Sequence, residues 1–285
     1  MPWQTVDSII ITNYQSYWKH PILNKYLQTK QNIAPSESYE GILILKKDKK
    51  NVFISHPFNS NQAKHTFGQI TITTYTSKKQ LKKILKQNCG KRIGFDARHT
   101  AVSTLSSLKK LTKAKFIDVS KKLEQAREIK DGEEIKKIKK AVKETKKTII
   151  KTVFELKKGD TEKETYLKIK DEFEKRGMET GFCIVAFGKN TANIHHVPTN
   201  KKLEKEMPVM IDCGAKYKGY YADLTTSFWF GAKEPREYTN SKKKIEETLK
   251  KIEEKLKEGT KAKALWKETK QLGRLPHALG HGIGL

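Results

Sequence analysis

MPVMIDCGAKYKGYYADLTTSFWFG, residues 207–231, reads as two apolar strands joined by a Gly/Lys turn. If the turn pivots between Tyr217 and Lys218, Asp212 and Asp223 stand equally far from it on either side. They then face each other across the ladder, with Cβ atoms about 5 Å apart. Sliding the turn by one residue keeps them on one face, diagonally placed. Two carboxylates this close in an apolar sheet repel, and burying them without a cation costs several kcal/mol. A shared proton relieves that repulsion; so does a metal ion, or a pair of them. The bland alternative is that one aspartate caps the turn while the other pairs with a surface lysine.

Two histidine segments flank this hairpin. Asn193-Ile194-His195-His196-Val197-Pro198 precedes it in a loop between strands. Adjacent histidines followed by a rigid proline can present one imidazole toward a site and one away. After the hairpin comes His277-Ala-Leu-Gly-His281-Gly-Ile-Gly. Its glycines at 280, 282 and 284 permit tight turns or close approach to a ligand. Neutral imidazole is a common ligand of divalent transition metals.

Farther out, the chain divides near residue 120. Before that point, strands are expected at Tyr39–Lys46, Asn51–Ser55, Gln69–Tyr75, Arg92–Phe95 and Phe116–Val119, each rich in Ile, Val, Phe or Thr. Helices are expected at Ser77–Asn88 and His99–Leu111. This alternation implies an α/β unit with a mixed sheet. Beyond it a charged helix spans about Asp131–Leu156, its apolar positions at helical spacing, with Gly159 as its stop. A second helix covers about Glu162–Arg176. Strands follow at Gly181–Phe187, Met207–Cys213 and Tyr220–Phe230, then helices at about Asn240–Lys257 and Lys261–Leu272. The whole is α+β, divided as 1–122 and 123–285.

Composition narrows the function. The 285 residues carry 59 Lys+Arg against 32 Asp+Glu, a net charge of +27, which invites a polyanion partner. Arginine, the preferred reader of phosphates and bases, occurs at only six positions, and lysine is spread along helices with glutamates between. A lysine-biased solvated surface is therefore expected rather than dedicated nucleic-acid binding. No apolar run is long enough for a membrane-spanning helix, and the amino terminus does not read as a secretory signal. Cys89, Cys183 and Cys213 cannot all pair within one chain and have no metal-finger spacing, so a reduced, cytoplasmic protein is expected.

Taken together, REIKDGEEIKKIKKA (127–141), KKGDTEKE (157–164), FGKNTANIHHVPT (187–199), the Asp212/Asp223 hairpin and HALGHGIGL (277–285) resemble the creatinase/methionine-aminopeptidase superfamily of pita-bread metallopeptidases. The similarity is nearest to Xaa-Pro dipeptidases (prolidases) and Xaa-Pro aminopeptidases. It spans everything from about residue 127 onward; the preceding part is similar in size and pattern to that family's amino-terminal creatinase-like domain. The resemblance implies that Asp212, Asp223 and His281 are ligands of a dinuclear centre, Asp223 bridging both ions. His195 matches a histidine that stabilises the transition state or shuttles a proton, and His277 one that lies near the substrate. It implies two divalent ions, Mn²⁺ or Co²⁺ first and Zn²⁺ or Fe²⁺ next. The implied substrate is a peptide with proline at its second position, and family members are often homodimers.

Two departures shape these expectations. The family's later His-Glu segment and final strand, which carry two glutamate ligands, have no matching positions before Leu285. An incomplete pita-bread domain with impaired turnover is thus expected. Thr226 stands where the family commonly has arginine. The competing readings are a non-catalytic binding protein on the same fold, a methionine aminopeptidase, and metal-free creatinase-like C–N hydrolysis.

Overall fold

The computed structural model describes residues 3–13, 20, 22–27, 40–67, 70–273, 275 and 277–285. Tyr39 and Gln69, the first residues of two expected strands, lie outside them.

The first sheet is built on β1 (Ser8–Asn13), which the sequence patterns above did not assign to a strand. Around it stand β2 (Gly41–Lys46), β3 (Val52–Ser55), β4 (Thr71–Thr74), β5 (Arg92–Phe95) and β6 (Lys115–Asp118), in the order β4-β3-β2-β1-β5-β6. β1 is antiparallel to β2 and parallel to β5, so the sheet is mixed, as expected. Its middle strands are buried on both faces. Ile9, Ile11, Leu43, Leu45 and Phe53 enter one core, whereas Ile10, Ile42, Ile44, Val52 and Ile54 enter the other. Residues alternate faces along a strand, so a doubly covered strand reads as an unbroken apolar run.

Helices α1 (Ile22–Tyr26), α2 (Pro57–Thr66) and α5 (Ser120–Glu128) cover one face through Ile22, Leu23, Ala63 and Leu123. The other face takes Leu81 and Leu85 of α3 (Lys78–Asn88) and Leu108 of α4 (Val102–Leu111). α1, α2 and α5 are additions to the expected elements.

The second unit packs α6 (Gly132–Glu155) and α7 (Glu162–Lys175) on one face of a sheet ordered β10-β8-β7. Its strands are β7 (Glu179–Phe187), β8 (Met207–Tyr217) and β10 (Leu224–Phe230), with β9 (Tyr220–Tyr221) paired to β8. Both helices open on capping boxes, Asp131 with Glu134 and Thr161 with Glu164. Each cap contributes about 1 kcal/mol and satisfies amides that the first turn cannot. α6 ends at Glu155, capped by Leu156 in extended conformation. Gly159 serves instead in the following turn, at φ 95°, its N–H bonded to Leu203 O at 2.8 Å.

Small side chains bring α6 close to the sheet. Ala141, Thr145, Thr148 and Thr152 are buried at helical spacing, and Thr145 Oγ1 accepts from Ala215 N at 2.9 Å. The two units meet at Glu134, which is 3% exposed. Lys25 Nζ of α1 approaches its Oε2 at 2.7 Å, and Tyr220 Oη donates to its Oε1 at 3.0 Å. α8 (Arg236–Lys255) and α9 (Ala262–Glu268) pair through Lys255 and Glu268, and a 3₁₀ turn, Thr269–Leu272, follows. Among the described residues, no helix is long and apolar enough to cross a membrane.

Candidate metal centre

The β8–β9 turn fixes where the carboxylates fall. Lys218 and Gly219 both take positive φ, 51° and 85°, the signature of a two-residue type I′ turn. Tyr217 therefore pairs with Tyr220, Lys216 with Tyr221, and Asp212 with Thr225. The same register continued puts Asp223 opposite Gly214, two residues along β8 from Asp212. Direct opposition of the two aspartates is thus corrected to an offset of two residues. They share a face diagonally, because the turn pivots between Lys218 and Gly219.

Gly214 makes this crossing feasible. A Cβ there would lie 1.8 Å from Ala222 O and 2.7 Å from the Phe182 ring. Asp223 occupies the short interruption between β9 and β10, beside this close approach.

The sheet's two faces differ chemically. Val209, Ile211, Cys213 and Ala215 are fully buried in the core beneath the helices. Asp212 alternates to the other face, where Thr225 Oγ1 donates to its Oδ1 at 2.7 Å. Burial pushes the Asp212 carboxyl up, Thr225 opposes that, the Asp223 charge adds to it, and His195 opposes it. Asp212 therefore senses both Asp223 and His195. Its ladder partner on β7 is Ile184, and that of Gly214 is Phe182, so the same face carries an apolar wall.

His281 reaches one of the two carboxylates. The carboxy-terminal segment runs beside β9, with Tyr221 N donating to Gly284 O at 2.9 Å and Gly284 at φ 117°. This brings His281 Nε2 to 3.3 Å from Asp223 Oδ2. Its Nδ1 lies 2.9 Å from Gly282 O. A carbonyl only accepts, so Nδ1 carries a proton and Nε2 is the nitrogen turned to the carboxylate, an ion pair when both ring nitrogens are protonated. The spacing also suits two ligands each about 2.1 Å from one ion, and a ring N–H donated to a backbone carbonyl is how metal-binding histidines are usually oriented. The carboxylate and imidazole donors fit a divalent metal.

The remaining predicted residues divide. His195 is exposed on the loop after β7 and is felt by Asp212; His196 turns away, its Nε2 2.8 Å from Glu162 Oε2. His277 is exposed, and its Nδ1 meets Ala278 O at 2.6 Å, a local contact that does not join it to the carboxylates. Of the three glycines near His281, only Gly284 needs its backbone freedom; a Cβ on Gly280 or Gly282 meets open space.

A second cluster, absent from the sequence reading, lies in the first unit. His20 Nε2 is 3.3 Å and His99 Nδ1 3.1 Å from Asp96 Oδ2. The three residues have the proximity of metal ligands. Their protons argue otherwise. His20 Nδ1 accepts from Ile22 N, so Nε2 bears the hydrogen and turns no lone pair to Asp96; it lies 3.3 Å from Asp96 Oδ2, buried and without a well-formed hydrogen bond. His99 Nδ1 is the ring nitrogen within hydrogen-bond reach of that oxygen.

The titration of His20 has a definite sign. Burial lowers the His20 pKa, outweighing Asp96, with His99 and Arg127 also lowering it. Below an unfolded value of about 6.5, the unfolded chain binds a proton that the folded chain refuses. Stability is therefore lost as pH falls through that window. We expect the chelator-treated protein to melt at lower temperature at pH 5.5 than at pH 7.5, and His20→Asn to reduce the difference. An unchanged difference would refute this role.

Comparisons with known proteins assign the chain to a family. Metallopeptidase family M24 matches residues 136–285, and the Creatinase/Prolidase N-terminal domain matches residues 28–129. Uncharacterized peptidases of Staphylococcus aureus are 28% identical over 292 residues, which cover 98% of this chain and 82% of theirs. Among solved structures, the X-Pro aminopeptidase from Thermotoga maritima superposes with a TM-score of 0.86 at 24% identity, over 98% of this chain and 80% of its own. The prolidase from Pyrococcus horikoshii gives 0.82 at 25% identity, over 99% and 79%.

Proposed function

The chain belongs to metallopeptidase family M24, and from that premise we propose that it is a metal-dependent exopeptidase cleaving Xaa-Pro bonds. Family members depend on a pair of metal ions. Asp212, Asp223 and His281 would hold them here, with Mn²⁺ or Co²⁺ the best suited. The observation that carries this reading is His281 Nε2 lying 3.3 Å from Asp223 Oδ2, with Asp212 on the same face of the sheet.

Such ions would supply Lewis acidity toward the scissile carbonyl and would make a water more acidic. The protein's own groups supply the rest. Thr225, bonded to Asp212, would hold it on the reacting face, and Gly282 O, bonded to the His281 ring, would orient that ring for ligation. His195 would donate a ring proton to the oxyanion that develops on the substrate carbonyl. Phe182 and Ile184 would exclude water on one side, and His277 would contact the substrate. The creatinase-like first unit and the His195-His196 pair favour the proline-specific activity over a methionine aminopeptidase. The two units would divide between α5 and α6. Three free thiols suit the cytoplasm.

The test is hydrolysis of an Ala-Pro-led peptide against a Met-Ala-led one, with Mn²⁺ and after exhaustive chelation. Cleavage at proline should be at least about tenfold faster and should vanish on chelation. Equal rates would remove the specificity, and activity surviving chelation would remove the metal.

A further inference from the structure

Glu162 begins α7, where a glutamate usually serves the helix dipole from the surface. Here it is 0% exposed. Its Oε1 accepts from Phe187 N and Asn190 Nδ2, both at 2.8 Å. Its Oε2 takes His196 Nε2 at 2.8 Å, Thr199 N at 2.9 Å and Thr199 Oγ1 at 2.7 Å. Burial acts to raise this carboxyl, but the bonds from Thr199, His196, Asn190 and Phe187 hold it down at about 2.

All five donors belong to one segment, the 187–199 loop. They grip its first residue, its 3₁₀ turn, its second histidine and its end. The backbone continues the grip, since Lys163 N donates to Thr199 O at 3.0 Å and Glu162 N to Lys201 O at 3.1 Å. A carboxylate needed only to fill the core would not be spent on a single loop: burying it is expensive, and its bonds secure one arrangement rather than much stability. With His196 drawn into this clamp, its neighbour His195 stays outside it, exposed on the same loop.

We propose that Glu162 is a positioning residue, fixing the 187–199 loop so that His195, and not His196, is presented to the Asp212–Asp223 carboxylates. This rests on the reading that His195 serves that centre. Glutamine at 162 keeps the volume but turns one acceptor into a donor among donors, so the clamp opens.

The test uses the full chain with isotope-labelled histidines, His195 and His281 being assigned by substitution. In the wild type, Mn²⁺ should broaden the ring signals of both. In Glu162→Gln, His281 should stay broadened, because the metal is still held, while His195 sharpens several-fold. With a proline peptide, kcat should fall about 10- to 100-fold, as for other supporting partners, with Mn²⁺ affinity unchanged. Thr199→Val removes a single donor and should move both readouts the same way by less; it decides the matter if Glu162→Gln does not fold. Equal broadening of His195 in wild type and folded variants would overturn the positioning role and leave the metal centre standing. If Mn²⁺ broadens neither histidine in the wild type, the metal centre itself falls, and this proposal with it.

Discussion

Asp223→Ala should abolish metal-dependent hydrolysis while leaving the metal-free fold at least as stable as the wild type. Asp223 is the carboxylate that meets His281 at 3.3 Å and raises the pKa of Asp212. Supporting partners of a metal typically cost 10- to 100-fold when lost, so a direct ligand should cost more than about 100-fold. Stability should move the other way, or not at all. The side chain is about one-third exposed, and without metal its main electrostatic effect on Asp212 is repulsion. Rates with Mn²⁺, together with melting in chelator, separate the two effects. Retained activity would contradict the ligand role; destabilisation of about 2 kcal/mol or more would make Asp223 a structural group.

Gly214→Ala should be the most damaging single methyl in the second unit. Its Cβ would sit 1.8 Å from Ala222 O, a backbone atom that cannot simply swing aside. Ala222 is tied to β8 by its own N–H, which donates to Ala215 O at 2.9 Å. On the far side, the Phe182 ring stands 2.7 Å from the same point. Overpacking costs about 1–3 kcal/mol where neighbours can yield, so about 3 kcal/mol or more is expected here. Gly280→Ala is the control: its Cβ meets nothing within 4 Å, and its effect should stay within about 0.5 kcal/mol. Urea unfolding of the two variants reads the contrast, and equal midpoints would refute the packing argument.

The second unit was readable because its signals are local. Asp131 with Glu134 and Thr161 with Glu164 announce helix starts within four residues of sequence, and both caps form. The hairpin announces itself by its turn, and alternation alone puts Asp212 and Asp223 on one face. The pivot lies one residue farther on, moving the register by two, because Tyr-Lys-Gly-Tyr offers two pivots, and only the paired positive φ of Lys218 and Gly219 selects between them.

Other features depend on contacts that sequence spacing does not encode. β1 is buried on both faces, so SIIITN has no alternation to betray it. α5 is lysine- and glutamate-rich, with Leu123 its one large apolar residue committed to the core. Glu162 looks like any acidic residue of a first helical turn until the 187–199 loop closes over it. The His20–Asp96–His99 cluster joins residues more than seventy positions apart, and a single histidine in a loop gives no sign of its partner.

Asp212, Asp223 and His281 should together bind cations. Anomalous scattering from crystals of the protein soaked in Mn²⁺ tests this most directly. Density touching all three side chains is the predicted result. Density at His20, Asp96 and His99 instead, or none beside Asp223, would contradict it.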